Sequence, residues 1–306
     1  MSRLDPSREL RDFLDVLEGR AELARESEPK LPDHGRTPSQ SADARAPAKL
    51  AAERDISSGN SLSMPDVLYE RDRGYQVSAS EIRSMVELGK FRVIAEFDLG
   101  KYLYAGEREA LAKDVQNLVR QGLARRGRFQ GPEGSPRELL TLTKRGQRLL
   151  RANHLVSQGQ VIYSGFVKPR EANHDADLYT LYQKEAGRIE QKGGRIRRVV
   201  LDFEIKRKVN RDLTKLGPDA RPEIAARHGL QIVRNKIPLP DMQIEYETRD
   251  GDMGRVNLEL VTEHYRGRNV AEKARAGFSL YTPRGEGDKL RRVLDQQELT
   301  AEIFSL

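Results

Sequence analysis

"PLPDMQIEY" (residues 238–246) and "GRVNLELVTEH" (residues 254–264) are the two stretches on which the fold of this chain turns. Both alternate in the two-residue period of a half-buried strand. In the first, Met242, Ile244 and Tyr246 alternate with Gln243, Glu245 and Glu247. In the second, Val256, Leu258 and Leu260 share one face, and Asn257, Glu259, Val261 and Glu263 share the other. Between them "RDGDMG" (249–254) is a turn signal, so the pair reads as a hairpin. Asp241 lies in the phase of Gln243 and Glu245. A bend after Pro240 would turn it inward, toward Glu259 on the neighbouring strand.

Working outward, "HDADLYTLYQKEAGRIEQKGG" (174–194) reads as a helix whose stripe is Leu178, Leu181, Tyr182, Ala186 and Ile189. Glu185 falls inside that stripe. A carboxylate aimed inward is costly unless it is paired or holds a metal. "RIRRVVLDFEI" (195–205) reads as one strand, with Val199, Leu201, Phe203 and Ile205 opposite Asp202 and Glu204. "KRKVNRDLTKLGPDA" (206–220) is basic and fits a loop or a helix, and "RPEIAARHG" (221–229) a short helix. "NVAEKARAGFSLY" (269–281) reads as a helix with Val270, Ala274, Phe278 and Tyr281 on one stripe and Lys273 at its margin. His174, at the start of the first helix, reads as a cap or surface residue.

The preceding half has a different plan. Residues 1–26 spell an amphipathic helix, with Leu10, Phe13, Leu14, Leu17 and Ala21 at helical spacing. That helix is free to dock on a partner protein or to pair in a homodimer. Residues 27–63 are rich in Pro, Ser, Ala, Asp and Arg and read as a disordered linker. From 64 to 155 the order is helix, helix, helix, hairpin, helix. Ser80 is the expected cap of the first. "FRVIAEFDLGKYLY" (91–104) supplies the second. "GEREALAKDVQNLVRQGLARRG" (106–127) supplies the third, with Leu111, Val115, Leu118, Val119 and Leu123 inward and Arg108, Lys113, Gln116, Asn117, Arg120 and Gln121 elsewhere. "LARRGRF" and "RELLTLT" flank "QGPEGSP" as two strands about a loop, and "KRGQRLLRAN" (144–153) returns to helix.

Composition narrows the classes. The chain has 306 residues, 37% hydrophobic and 33% charged, with a net charge of +7. A basic excess spread over helices suits a polyanion partner, double-stranded DNA above all. The absence of cysteine excludes disulfides and thiolate zinc sites and fits a reducing cytoplasm. No apolar run approaches the roughly 20 residues a membrane helix needs, so no membrane partner is expected. There is no phosphate-binding Gly-x-x-x-x-Gly-Lys loop, no Gly-x-Ser-x-Gly elbow and no His-x-x-x-His pair.

The stretch "LVRQGLARRGRF…RELLTLTKRGQRLL" resembles winged helix-turn-helix regulators. These carry a Leu-x-x-x-Gly-Leu helix end, a charged wing, and Leu-Thr-x-x-Gly before the next helix. The resemblance implies that Arg108, Lys113, Gln116, Asn117 and Arg120 approach the major groove and that Arg125, Arg126 and Arg128 flank phosphates on the wing. "LPDMQIEY", "LELVTEHY" and "EKARAGFSLY" resemble the core of the PD-(D/E)XK nuclease fold, an αβββα unit on a mixed sheet. The two together, over roughly residues 78 to 283, are similar to the plasmid replication-relaxation family. The expected class is therefore α+β or α/β. Its parts are an N-terminal helix and linker, a winged helix over 64–155, and a nuclease-like domain over 156–306.

By this resemblance Asp241 and Glu259, joined by Glu185, would hold Mg²⁺, which prefers oxygen ligands. The motif lysine that steadies the attacking water is missing, because Val261 stands in its slot on the Glu259 face. Lys273 on the following helix is the candidate replacement in a catalytic set of Asp241, Glu259 and Lys273. Glu263 is a candidate extra ligand and His264 a candidate phosphate contact. Two functions remain open. One is a cytoplasmic, nucleoid-associated DNA-binding protein of a mobile element or plasmid with a degenerate nuclease-like domain. The other is an active Mg²⁺-dependent endonuclease or nickase.

Overall fold

Why the chain turns where it does is clearest at Gly122 and Gly146. The structure is a computed structural model that describes residues 66–306, apart from 132–133, 263–266, 284–286, 297–298, 300 and 302. The helix expected over 1–26, the linker over 27–63, Glu263 and His264 therefore lie outside the described residues. Residues Ser61–Leu306 form one packing unit.

A hairpin not foreseen from the sequence comes first, β1 (Asp66–Glu70) with β2 (Arg73–Val77). Then follow α1 (Ala79–Phe91), the short β3 (Ile94–Ala95), α2 (Glu96–Leu103) and α3 (Arg108–Arg120). The cap of α1 is Ser78 and not the expected Ser80. Ser78 and Glu81 form a reciprocal capping box, while Ser80 donates to Asp114 on α3 at 2.5 Å. Helix α3 ends in paired back-bonds, Leu123 N–H to the Leu118 carbonyl and Gly122 N–H to the Val119 carbonyl. That closure needs a left-handed residue, supplied by Gly122 at φ 69°. Strands β4 (Ala124–Gln130) and β5 (Pro136–Leu142) form the long hairpin, and β3 adds to β5 to complete an antiparallel sheet of order β3-β5-β4.

Helix α4 (Lys144–Ala152) then packs back. Thr143 caps it by accepting from Gly146 N–H and donates to the Gly122 carbonyl at 2.7 Å, tying it to the end of α3. A β-carbon on Gly146 would meet Leu142 Cδ1 at 2.7 Å and the Leu123 carbonyl oxygen more closely still. The Leu-Thr-x-x-Gly spacing thus has a steric cause.

The second half is built on a five-stranded sheet of order β10-β9-β8-β7-β6. Helix α5 (Pro169–Gln191) covers one face and buries the expected stripe. Strands β6 (Arg195–Leu201), β7 (Met242–Glu247) and β8 (Met253–Leu260) are antiparallel neighbours. Strand β9 (Ser279–Thr282) runs parallel to β8, and β10 (Ile303–Ser305) parallel to β9. The class is α+β with a mixed sheet.

Three expectations need correction. The helix expected over 91–104 begins only at Glu96, because Ile94–Ala95 pairs with β5 as a strand. The strand expected through Ile205 stops at Leu201, and Asp202–Leu216 is helix α6. Asp202 and Glu204 fall in its first turn, where acidic side chains favour the positive helix end. The helix expected through Tyr281 stops at Arg275. Gly267–Arg275 is α8; Gly277 at φ 73° breaks it, and Ser279–Thr282 becomes β9. Phe278 and Tyr281 consequently pack on opposite faces of the sheet. Helix α7 (Arg221–Arg227) lies between α6 and β7, and α9 (Gly287–Asp295) between β9 and β10.

One core runs unbroken past residue 155. It joins Phe91, Leu140 and Leu150 to Ile162, Tyr179, Leu201 and Ile244. Phe91 meets the Tyr179 ring edge-on at 5.2 Å, and Tyr163 N–H donates to the Gly89 carbonyl at 2.7 Å. A second core on the opposite sheet face holds Val200, Ile205, Ile224, Val270, Phe278 and Leu280.

Candidate functional site

Strand register places Glu259 beside Leu280, on the face covered by α6 to α9. The face is otherwise apolar there, and Glu259 is fully buried. Val261 is buried on the same face. From α8, Lys273 Nζ reaches Glu259 Oε1 at 2.7 Å and also donates to the Leu239 carbonyl. The other Glu259 oxygen accepts the Asp241 backbone N–H at 3.2 Å. Asp241 Oδ2 in turn accepts the Leu260 N–H at 2.9 Å. Asp241, Glu259 and Lys273 therefore meet at the β7–β8 junction. A cleft of about 370 Å³ lined by Lys236, Thr262, Asn269 and Lys273 opens beside them.

Sequence reasoning missed His174 as a member of this site. It sits one helical turn into α5, with Nε2 3.5 Å from Asp241 Oδ1. Burial alone would push its pKa down, but the hydrogen bond to Asp241 and the charges of Asp241, Asp175 and Asp177 outweigh it and raise the value to about 9. A signal existed in the string, since His174 stands beside Asp175 and near Asp177 on one helix. Nothing local paired it with a residue 67 positions away (241 minus 174). A histidine raised in the folded state stabilises fully below its unfolded pKa of about 6.5 and loses that contribution as pH rises through about 9. The side chain is 34% exposed, so solvent screening reduces the gain to about 1–2 kcal/mol. His174→Gln should flatten the decline in unfolding free energy across that window; an unchanged profile would mean that the Asp241 contact does not hold in solution.

Glu185 does not join the group. It lies on α5, against the opposite face of the sheet, where it accepts from Tyr281 Oη at 2.5 Å and pairs with Arg188 at 3.1 Å. Among the described residues, no group of three or more His, Asp or Glu side chains is arranged to hold a metal ion. Among the contacts shown, the carboxylates of Asp241 and Glu259 meet backbone N–H groups, Lys273 and His174, and Glu185 lies apart from them.

The basic face of the first half is also resolved residue by residue. Arg108, Lys113, Gln116 and Arg120 point outward from α3. Asn117 is turned inward, donating to Glu81 at 2.6 Å, and Arg120 donates to it at 2.8 Å. On the hairpin, Arg125 is exposed and lies 5.7 Å from the Phe166 ring. Arg126 makes a forked pair with Glu96 at 2.7 and 2.8 Å, and Arg128 faces Glu138 at 3.8 Å. The outward set that carries undiminished charge is thus narrower than the sequence implies.

None of the described helices is long and apolar enough to cross a membrane. In comparisons with known proteins, no family model, no curated protein and no solved structure matches the chain.

Proposed function

We propose that this chain binds double-stranded DNA through α3 and the β4–β5 hairpin, as an accessory or regulatory protein of a mobile element or plasmid. The observation that carries the reading is the order of α1, α2, α3, hairpin and α4, with Arg108, Lys113, Gln116 and Arg120 outward on α3 and Arg125 outward on the strand that follows. This order resembles a winged helix, and the second half resembles a PD-(D/E)XK domain, the pairing found in the replication-relaxation family. In this reading Gln116 faces base edges, and Lys113, Arg120 and Arg125 face phosphates. The Asp241–Glu259–Lys273 group acts as an internal ionic tie in a domain that no longer cuts.

Fluorescence anisotropy with a labelled duplex tests this. Replacing Lys113 or Arg125 by alanine should weaken binding across all sequences, each making the salt slope about one unit shallower. Gln116→Ala should instead cost about 1–3 kcal/mol on a preferred site only. Salt-independent binding, or none in dilute buffer, would refute the assignment.

A second reading, Mg²⁺-dependent strand cleavage, is favoured by one observation, the meeting of Asp241, Glu259 and Lys273. Supercoiled plasmid incubated with Mg²⁺ or Mn²⁺ separates the two. Nicking that vanishes in Asp241→Ala and Glu259→Ala would replace the first reading of this domain; intact plasmid with retained binding would retire the second.

A further inference from the structure

A cleft of about 480 Å³ lies on the Glu259 face of the sheet, toward the other end of the strands. Four elements aim cations into it: Arg198 from β6, Lys208 and Arg211 from α6, Arg227 from α7 and Arg255 from β8. Four carboxylates oppose these five, one of them the exposed Glu223, which pairs with Arg227 at 2.7 Å. Glu204, almost completely buried, pairs with Arg198 and with Lys208 at 2.7 Å. Asp212, also buried, accepts from His228 at 2.9 Å and lies 3.3 Å from Arg211 and 3.5 Å from Arg227. Glu245 faces Arg255 at 3.4 Å. A surplus of one positive charge remains with His228 counted as neutral.

The pairing pattern says what that surplus is for. The contacts of Asp212 with Arg211 and Arg227, and of Glu245 with Arg255, are single-point and long, so Arg211 and Arg255 keep most of their donors for another acceptor, while Arg227 also spends one on Glu223. Arg211, Arg227 and Arg255 stay 59%, 48% and 44% exposed. The acids beneath them are fixed. His228 clamps Asp212, and Gln243 donates to the His228 carbonyl at 3.0 Å, which locks that end of α7 to the sheet. Fixed acids hold the guanidiniums in orientation without neutralising the cleft. Planar forked donors around a half-enclosed hollow match a phosphate, with its several acceptor oxygens.

We propose that this cleft binds phosphate, and specifically a phosphodiester of a nucleic-acid strand. The assignment rests on the DNA-binding reading above and adds to it a second contact that does not involve α3. Free inorganic phosphate shares the same chemistry.

The test uses the full chain and two probes, a labelled DNA duplex read by anisotropy and inorganic phosphate read by calorimetry. The doubly substituted Arg211→Gln, Arg255→Gln protein removes two exposed cations, and its thermal unfolding is compared with the parent to show that it folds. A second double variant, Arg211→Lys with Arg255→Lys, keeps the charge if the glutamine protein fails to fold. The expected result is roughly tenfold weaker duplex binding in the glutamine variant, with a salt slope shallower by about two units. The lysine variant should keep the parent's slope but lose affinity through the lost forked contacts. Duplex binding with the parent's affinity and slope in the glutamine variant overturns the cleft assignment. If Lys113→Ala in that same experiment still weakens binding, the α3 reading survives alone. If the parent binds no duplex but binds inorganic phosphate, and the glutamine variant loses it, the DNA reading falls and the phosphate site stands. Binding of neither probe overturns both.

Discussion

Replacing Lys273 by methionine is expected to lower the unfolding free energy by about 3–5 kcal/mol at neutral pH, the range for stripping one partner from a buried ion pair. The cause is Glu259. Its side chain is fully buried, and the ammonium of Lys273 at 2.7 Å is a cationic partner there. With methionine in place the carboxylate loses that charge while staying on the buried Val261 and Leu280 side of the sheet. Adding Glu259→Gln to that variant should recover most of the loss, because a neutral amide no longer needs the ammonium. Denaturant titration of the two single variants and the double closes the cycle. A Lys273→Met protein as stable as the parent would show that the pair is not buried in solution. The same measurement bears on function, since a lysine bound this tightly to Glu259 ties up the group that a nuclease would need free.

Arg92→Ala should cost a similar amount, about 3–4 kcal/mol. Arg92 ends α1 at φ 60°, a strained backbone for a side chain-bearing residue. From there its guanidinium meets Asp175 at 2.8 Å and stacks 4.8 Å from the centre of the Phe203 ring. Asp175 is buried on α5, and Phe203 opens α6. The residue thus pins the end of the first helix to two elements of the second half. Burial pushes the Asp175 carboxyl up to about 6, with Arg92 opposing the shift. An acid raised in the folded state keeps its proton while the unfolded chain has lost it, so this group's contribution to stability falls as pH rises from about 4 through about 6. Without Arg92 burial is opposed by the weaker effect of His174, and that fall should reach higher pH. Asp175→Asn in the Arg92→Ala background should flatten it. Arg92→Gly should be about 1 kcal/mol less damaging than Arg92→Ala, because glycine relieves the positive φ while both lose the pair. Equal losses for the two would remove strain from the account.

What was legible in the string follows from what periodicity reports. The stripe of α5, that of α3 apart from Val119, which is exposed, and the alternation of β7 and β8 are local consequences of burying one face. They place Glu259 and Val261 on one side of β8 without any partner being known. The end of β6 was not legible, because Asp202 and Glu204 satisfy strand alternation and a helix first turn equally well. Helix α8 was overrun for the same reason: Val270, Ala274, Phe278 and Tyr281 fit a helical stripe, yet Gly277 separates them into two elements on two faces.

By itself, then, the sequence determined the β7–β8 alternation, the apolar stripe of α5, the helix–hairpin–helix order around Gly122 and the basic balance, but not the first hairpin or the ends of β6 and α8. Only the tertiary structure decided which charges meet. It sent Glu185 to Tyr281 on the far side of the sheet, brought Lys273 to Glu259 and His174 to Asp241, and gathered five cations from four elements around Asp212 and Glu245. The physical reason is the reach of the forces involved. Burial of an apolar stripe is dictated by neighbours three or four residues away along a helix, or two along a strand. The pairing of a buried charge is dictated by strand register and helix crossover, which belong to the whole fold.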